Sequence, residues 1–255
     1  MMLLKPFLYL IAFIRAILLI IPMAIFLGAY SILSSFLFKN TVDRAFALRR
    51  LYVRYACFVM GIIIEKEGNP TVKPAVYVSN HRSLSDPLIT SPFLNAFIIA
   101  KAEVENIPLI STGAKLTGIL FVERESKDSR SAVREKMVET LEEGQNVLVY
   151  PEGTVNHLKT PLPYRPGTFK TAAKMGLPVI PIVLEYKHEK DLWYNRQMVS
   201  HFFHQFGWPL TKAKLAFGPP ISNTDGELLK KEVEVWTINK INEMHSNWKS
   251  VFSNQ

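Results

Sequence analysis

The stretch VYVSNHRSLSDPL, residues 76–88, decides how this chain is read. A run of small and β-branched residues stops abruptly at Asn80, His81, Arg82, Ser83, Leu84, Ser85 and Asp86. Apolar residues bounded this way read as a buried strand, and open α/β sheets gather ligands where strands end. A histidine and a carboxylate five positions apart therefore fall where a site is expected.

The pattern recurs on both sides of this stretch. GIIIEKEG, AFIIAKAEV, NVLVYPEGT, LPVIPIVLEY and AKLAFGPPI read as further strands. The prolines of LPVIPIVLEY predict a position near a sheet edge. KDSRSAVREKMVETLEEGQ is an amphipathic helix stopped by Gly144. GTFKTAAKMG and the segment from Asp225 to Trp248 are also helical, and DPLITSPFLN is a short helical turn. Strands alternating with helices predict an α/β fold, a mixed, largely parallel sheet flanked by helices.

Residues 6–38 are different. They carry a single charge, Arg15. The segment is too long for a signal peptide and no A-x-A site follows it. One spanning helix over residues 16–38 is long enough, since ~20 residues cross the hydrocarbon core. A pair of short helices broken near Pro22 or Gly28 is the alternative; each would reach only ~20–25 Å and dip into one leaflet. A third reading is a buried helix of a soluble domain. Lys5 and Arg15 on one side, with Lys39, Arg44, Arg49 and Arg50 on the other, suit a hairpin with both ends cytosolic. The expected organisation is an N-terminal helical membrane anchor over residues 1–60 and an α/β domain over residues 61–255. The basic stretch 39–54 is expected to meet anionic headgroups, at ~1 kcal/mol per cation.

With 30 Lys+Arg against 22 Asp+Glu the formal charge is +8. The cations are scattered, without zinc-finger or RNA-binding signatures, so no nucleic-acid partner is expected. A single cysteine, Cys57, allows no intrachain disulfide and lies in an apolar run with no histidine beside it. No metal is expected either: His201 and His204 in SHFFHQFGW lack acidic or cysteine partners. That stretch reads as an amphipathic surface or lipid-facing segment.

Three polar clusters fall at strand ends: NHRSLSD at 80–86, GILFVER at 118–124 and YPEGT at 150–154. In the first, His81 can take a proton from a hydroxyl near neutral pH and Asp86 can fix its tautomer. Equally, Asp86 could be only a helix cap and His81 a hydrogen-bonded loop residue. Ser83 and Ser85 lack the glycines of a G-x-S-x-G elbow, which argues against an acyl-serine hydrolase.

At these residues the chain resembles the glycerolipid acyltransferases, the family of the 1-acylglycerol-3-phosphate acyltransferases. NHRSLSD matches its N-H-x-x-x-x-D motif, and GILFVER its second motif through Gly118, Phe121 and Arg124. YPEGT matches the third through Pro151, Glu152, Gly153 and Thr154, and LPVIPIVLEY the fourth around Pro181. The likeness runs from about residue 75 to 185. It implies transfer of a fatty acyl group from acyl-CoA or acyl carrier protein to a lysophospholipid hydroxyl, with no resident cofactor and with membrane lipids as partners. It implies His81 as general base and Asp86 as its orienter. It places Asn80, Gly118, Phe121, Arg124, Glu152, Gly153 and Thr154 at the substrate. One departure stands out: phosphatidate-forming members usually carry arginine after E-G-T, and here Val155 follows. Lys101, Lys115, Lys159 or Arg165 would have to replace it, or the acceptor is another single-chain lipid such as a lyso-aminolipid. Phospholipid transacylation and a non-catalytic membrane scaffold are the rival expectations.

Overall fold

Period-two alternation splits the apolar residues of each central strand between two faces. Tyr77, Ile98, Leu148 and Ile182 enter one core, and Val76, Val78, Ile99, Val147 and Val149 the other. The result, in a computed structural model that describes residues 4–36, 41–70, 72–101, 113, 118–122 and 127–252, is one seven-stranded sheet between two helical layers. Its strands are β1 (Ile62–Glu67), β2 (Val76–Ser79), β3 (Phe97–Lys101), β4 (Ile119–Val122), β5 (Val147–Val149), β6 (Val179–Tyr186) and β7 (Thr211–Phe217). Their order is β1-β7-β6-β2-β5-β3-β4, and every pairing is parallel except β6 with β7. The expected mixed, largely parallel α/β fold is what forms.

The helices are α1 (Lys5–Phe36), α2 (Val42–Met60), α3 (Asp86–Thr90), α4 (Lys127–Glu142), α5 (Gly167–Met175), α6 (Met198–Phe206) and α7 (Gly226–Phe252). α2 and α6 cover one face through Val53, Ala56, Met60 and Phe206. α4, α5 and α7 cover the other through Met137, Leu141, Phe169, Ala172, Leu229 and Val233. Each Val, Leu, Met or Phe among these contributes about 1.5–3 kcal/mol on burial.

LPVIPIVLEY is central rather than at an edge: β6 lies between β2 and β7 and is buried along its whole length. Pro181 is tolerated because it sits one residue ahead of the antiparallel ladder with β7, which begins at Ile182. There its carbonyl accepts from Gly218 N at 2.8 Å and no donor is required of it.

Pro22 does not break α1 either; the helix runs unbroken from Lys5 to Phe36. Proline removes the N–H that would bond the Leu18 carbonyl. Tyr55 of α2 supplies the missing donor, its hydroxyl reaching Leu18 O at 2.7 Å, while Tyr52 reaches Leu19 O at 2.9 Å. The expected break near Pro22 or Gly28 is thus absent.

α1 also lies along the domain. Arg15 donates to the carbonyls of Phe206, Trp208 and Pro209 at 2.9, 2.6 and 2.8 Å. Tyr9 stacks on Phe203, and Ala12 is fully buried. The opposite face, including Phe7, Leu10, Phe13, Ile21, Ile25 and Ile32, is exposed. Residues Lys5–Ile32 are long and apolar enough to cross a membrane, with a mean hydropathy of 2.7.

Part of the basic stretch turns inward. Arg49 is buried and donates to Leu94 O and Ala96 O at 3.2 and 2.8 Å, and Arg50 bonds Asn95. These two cations bind helix α2 to the sheet layer and do not face headgroups; Arg54 is exposed.

Candidate active site

β2 ends at Ser79, and the chain turns through residues 80–85 into α3. Asn80 fixes the turn. Its amide donates to Leu184 O and accepts from Leu184 N, both at 2.8 Å, so the side chain extends the sheet like one more peptide. Asn80, expected at the substrate, is fully buried in that task.

His81 follows. Its Nδ1 lies 2.6 Å from Asp86 Oδ2. The carboxylate can only accept, so Nδ1 carries the proton. Nε2 has no hydrogen-bond partner among the described residues. The imidazole stacks on Tyr150 at 4.3 Å and 24° and its side chain remains 19% exposed. The backbone is held on both sides: His81 N donates to Glu152 Oε1 and Asn156 N donates to His81 O, each at 2.8 Å.

Asp86 is fully buried at the start of α3, yet its carboxylate does not cap that helix. It accepts from Arg82 N at 2.6 Å, Ser83 N at 3.0 Å, His81 Nδ1 and the Tyr186 hydroxyl at 2.7 Å. Five residues of separation close onto one carboxylate because the chain folds back before the helix begins.

Glu152 is also turned inward. Besides His81 N it accepts from Asn156 Nδ2 at 3.1 Å and Leu162 N at 2.7 Å. Burial pushes its carboxyl above the ordinary value, and these three donors pull against that shift. Sequence reasoning placed Glu152 at the acceptor; its bonds make it the tie between the His81 turn and the loop after β5. Gly153 has φ +74°, and a β-carbon there would stand 2.5 Å from the Arg165 guanidinium carbon, which lies directly over it. Thr154 is exposed beside it.

Gly118 is not near this cluster. It precedes β4, at the opposite end of the sheet from His81, and packs under Phe46 and Phe97, 2.8 and 3.3 Å from where a β-carbon would sit. A motif that covers a whole strand has its first and last residues at opposite ends of the sheet. Phe121 is half-buried in β4 opposite Ala100. Arg124 and Lys115 lie outside the described residues.

Three groups were missed. Arg82, fully buried, bonds Glu185 through Nε at 2.7 Å and through Nη2; Nη1 reaches the carbonyls of Asn156 and Leu158, and Nη2 also that of Lys159. Tyr150 supplies the ring on which His81 rests. His201 of α6, expected at a surface, is fully buried, parallel to Trp193 and 3.0 Å from Ser83 Oγ. Only an arginine inside a buried motif hinted at the first; the other partners are too distant in sequence to be paired by eye.

Burial, with the charges of Arg196 and His204, holds His201 down to about 4 from an ordinary 6.5, outweighing the pull of Asp86. The folded state thus resists a proton that the unfolded chain takes up near pH 6.5. Stability present above that pH is lost as pH falls from about 6.5 toward 4. In melting curves across this range, His201→Gln should flatten the fall relative to wild type; identical slopes would contradict the assignment.

An imidazole held by a buried carboxylate at the carboxyl end of a parallel strand can take a proton from a hydroxyl. The comparisons agree. An acyltransferase family model matches residues 62–185. The chain is 28% identical over 142 residues to the lyso-ornithine lipid O-acyltransferase of Pseudomonas aeruginosa, covering 56% of this chain and 55% of that protein. It is 34% identical over 141 residues to the 1-acyl-sn-glycerol-3-phosphate acyltransferase alpha of Mus musculus, covering 53% and 50%. The chain spans about half the length of the curated relatives it matches. The crystal structure of the 1-acyl-sn-glycerophosphate acyltransferase PlsC from Thermotoga maritima has the same fold, with a TM-score of 0.69 at 22% identity over 96% of this chain and 95% of that one. Residues 62–185 thus match the acyltransferase family model, and this part of the chain is similar to glycerolipid acyltransferases.

Proposed function

We propose that the protein is a membrane-bound O-acyltransferase that moves a fatty acyl group from acyl-CoA or acyl carrier protein to a lysophospholipid hydroxyl. The observation that carries this reading is the His81–Asp86 contact at 2.6 Å inside the family-matched segment. His81 Nε2 removes the acceptor's hydroxyl proton as the oxygen attacks the thioester carbonyl. The tetrahedral intermediate collapses, the carbon–sulfur bond breaks, and the imidazolium returns its proton to the departing thiolate. Asp86 stays ionised throughout and supports the imidazolium. No acyl-enzyme is needed, and Ser83 is turned toward His201 and Gln205, away from a nucleophile's role.

The acceptor favoured is 1-acylglycerol-3-phosphate, giving phosphatidate. Val155 removes the usual arginine, but the Arg165 guanidinium rests on Gly153 of the same turn and has no anionic partner among the described residues. A guanidinium so placed can grip a phosphate in bidentate fashion. The second reading, a lyso-aminolipid acceptor, draws on Val155 and on the Pseudomonas aeruginosa relative.

The apolar face of α1 enters the lipid. Residues 8–19 are fixed along the domain, and the remainder of the helix reaches only roughly 25 Å, short of the ~30 Å core. This supports immersion in one leaflet rather than crossing, with the α/β domain on the cytoplasmic face. Purified protein with labelled acyl-CoA and a panel of lysolipids is the test. Transfer to lysophosphatidate is expected; transfer to none of the panel would overturn the reading. Arg165→Ala should raise the KM for an anionic acceptor about 10-fold with the donor KM unchanged. An unchanged acceptor KM would remove Arg165 from the site.

A further inference from the structure

We infer that Tyr186, Gln205 and the two serines of the N-H-x-x-x-x-D turn are positioning residues, joined in a one-way chain of hydrogen bonds that ends on the Asp86 carboxylate. The inference rests on the reading of His81 and Asp86 as base and orienter.

The direction of each bond follows from the one before it. An ionised Asp86 only accepts, so the Tyr186 hydroxyl donates to Oδ1 at 2.7 Å. Burial and the Asp86 charge keep the Tyr186 phenol protonated. A phenol has one hydrogen, so in its 2.8 Å contact with Ser85 Oγ it accepts. Ser85 has then given its own hydrogen and must accept, which it does from Gln205 Nε2 at 3.0 Å. This sets the amide of Gln205 with its oxygen toward Ser83, which donates to it at 3.1 Å. Ser83 Oγ in turn accepts from His201 Nε2 at 3.0 Å. Ser83, Ser85, Asp86, His201 and Gln205 are all fully buried. Nothing competes with these bonds from solvent, and chains of aligned donors strengthen one another.

The chain has a chemical consequence. Donors aligned toward Asp86 share its negative charge, so the carboxylate holds the imidazole in place without pulling its proton across. It also explains why α6, outside the recognised motifs, reaches under the catalytic turn. Ser83 and Ser85 are neither nucleophile nor cap, and Ser85 makes no capping bond to α3.

Tyr186→Phe keeps the ring and removes one donor. With lysophosphatidate and acyl-CoA, kcat should fall about 10-fold while both KM values hold, beside a modest drop in melting temperature from the stranded Ser85 donor. Gln205→Met should do the same, and if it fails to fold, Tyr186→Phe decides. Wild-type kcat in folded Tyr186→Phe, or a loss carried by KM, would overturn the inference. Proton NMR gives a second readout that needs no turnover: the low-field His81 Nδ1–H resonance should move further downfield in Tyr186→Phe. An unmoved resonance overturns the chain; absent acyl transfer by wild type, with the resonance shifted, overturns only the assigned reaction.

Discussion

His81→Ala is expected to reduce acyl transfer by about 10²–10⁴-fold, the range set by losing a positioned base. The loss should fall on kcat. Nothing else in the cluster can replace the imidazole: Asp86 is buried and saturated, and Glu152 is occupied by three donors. The fold should survive. The backbone bonds from His81 to Glu152 and Asn156 do not depend on the side chain, and Asp86 retains Arg82 N, Ser83 N and Tyr186. Radiolabelled product formation beside a thermal melt checks both halves. A folded variant with more than a tenth of wild-type kcat would remove His81 from the role of base.

The second large effect is on stability. Arg82→Met is expected to cost about 3–5 kcal/mol, because removing one partner of a buried pair strands the other. Among the described residues Glu185 would keep only His245, 3.2 Å away and part-exposed. The loss reaches beyond the pair, since Arg82 also holds the carbonyls of Asn156, Leu158 and Lys159. That loop carries Asn156, whose N–H bonds the His81 carbonyl, so activity should fall with stability. Urea unfolding at neutral pH measures the loss. Arg82→Met combined with Glu185→Leu should recover a large part of it, since no charge is then left buried. A single variant destabilised by less than about 1 kcal/mol would mean that the pair contributes little.

Motif spacing and strand alternation carried the sheet, the His81–Asp86 pair and the Gly153 turn, because each depends on residues close in sequence. What sequence could not supply was direction. Asn80 and Glu152 belong to the motifs, yet their side chains turn toward Leu184 and the His81 backbone. Nothing local in N-H-x-x-x-x-D or P-E-G-T distinguishes a brace from a ligand. Proline misled twice for one physical reason. Its cost depends on whether a donor is needed at that point, and Tyr55 in one case and the start of a ladder in the other removed the need. Gln205 and His201 were illegible because their partners lie some 120 positions away, a separation that only the folded sheet closes.

Arg15, the one charge in α1 after Lys5 at its start, bears on how the protein should be handled at the bench. Its guanidinium closes over three carbonyls at the end of α6, the helix that also presents His201 and Gln205 to the turn carrying His81 and Asp86. A truncation meant to yield a soluble catalytic core would therefore lift the roof from that helix and uncover those carbonyls. Loss of activity in such a fragment would say nothing about lipid attachment. To separate the two, polar replacements belong on the outer face, at Phe7, Phe13 or Ile25, with Arg15 left in place.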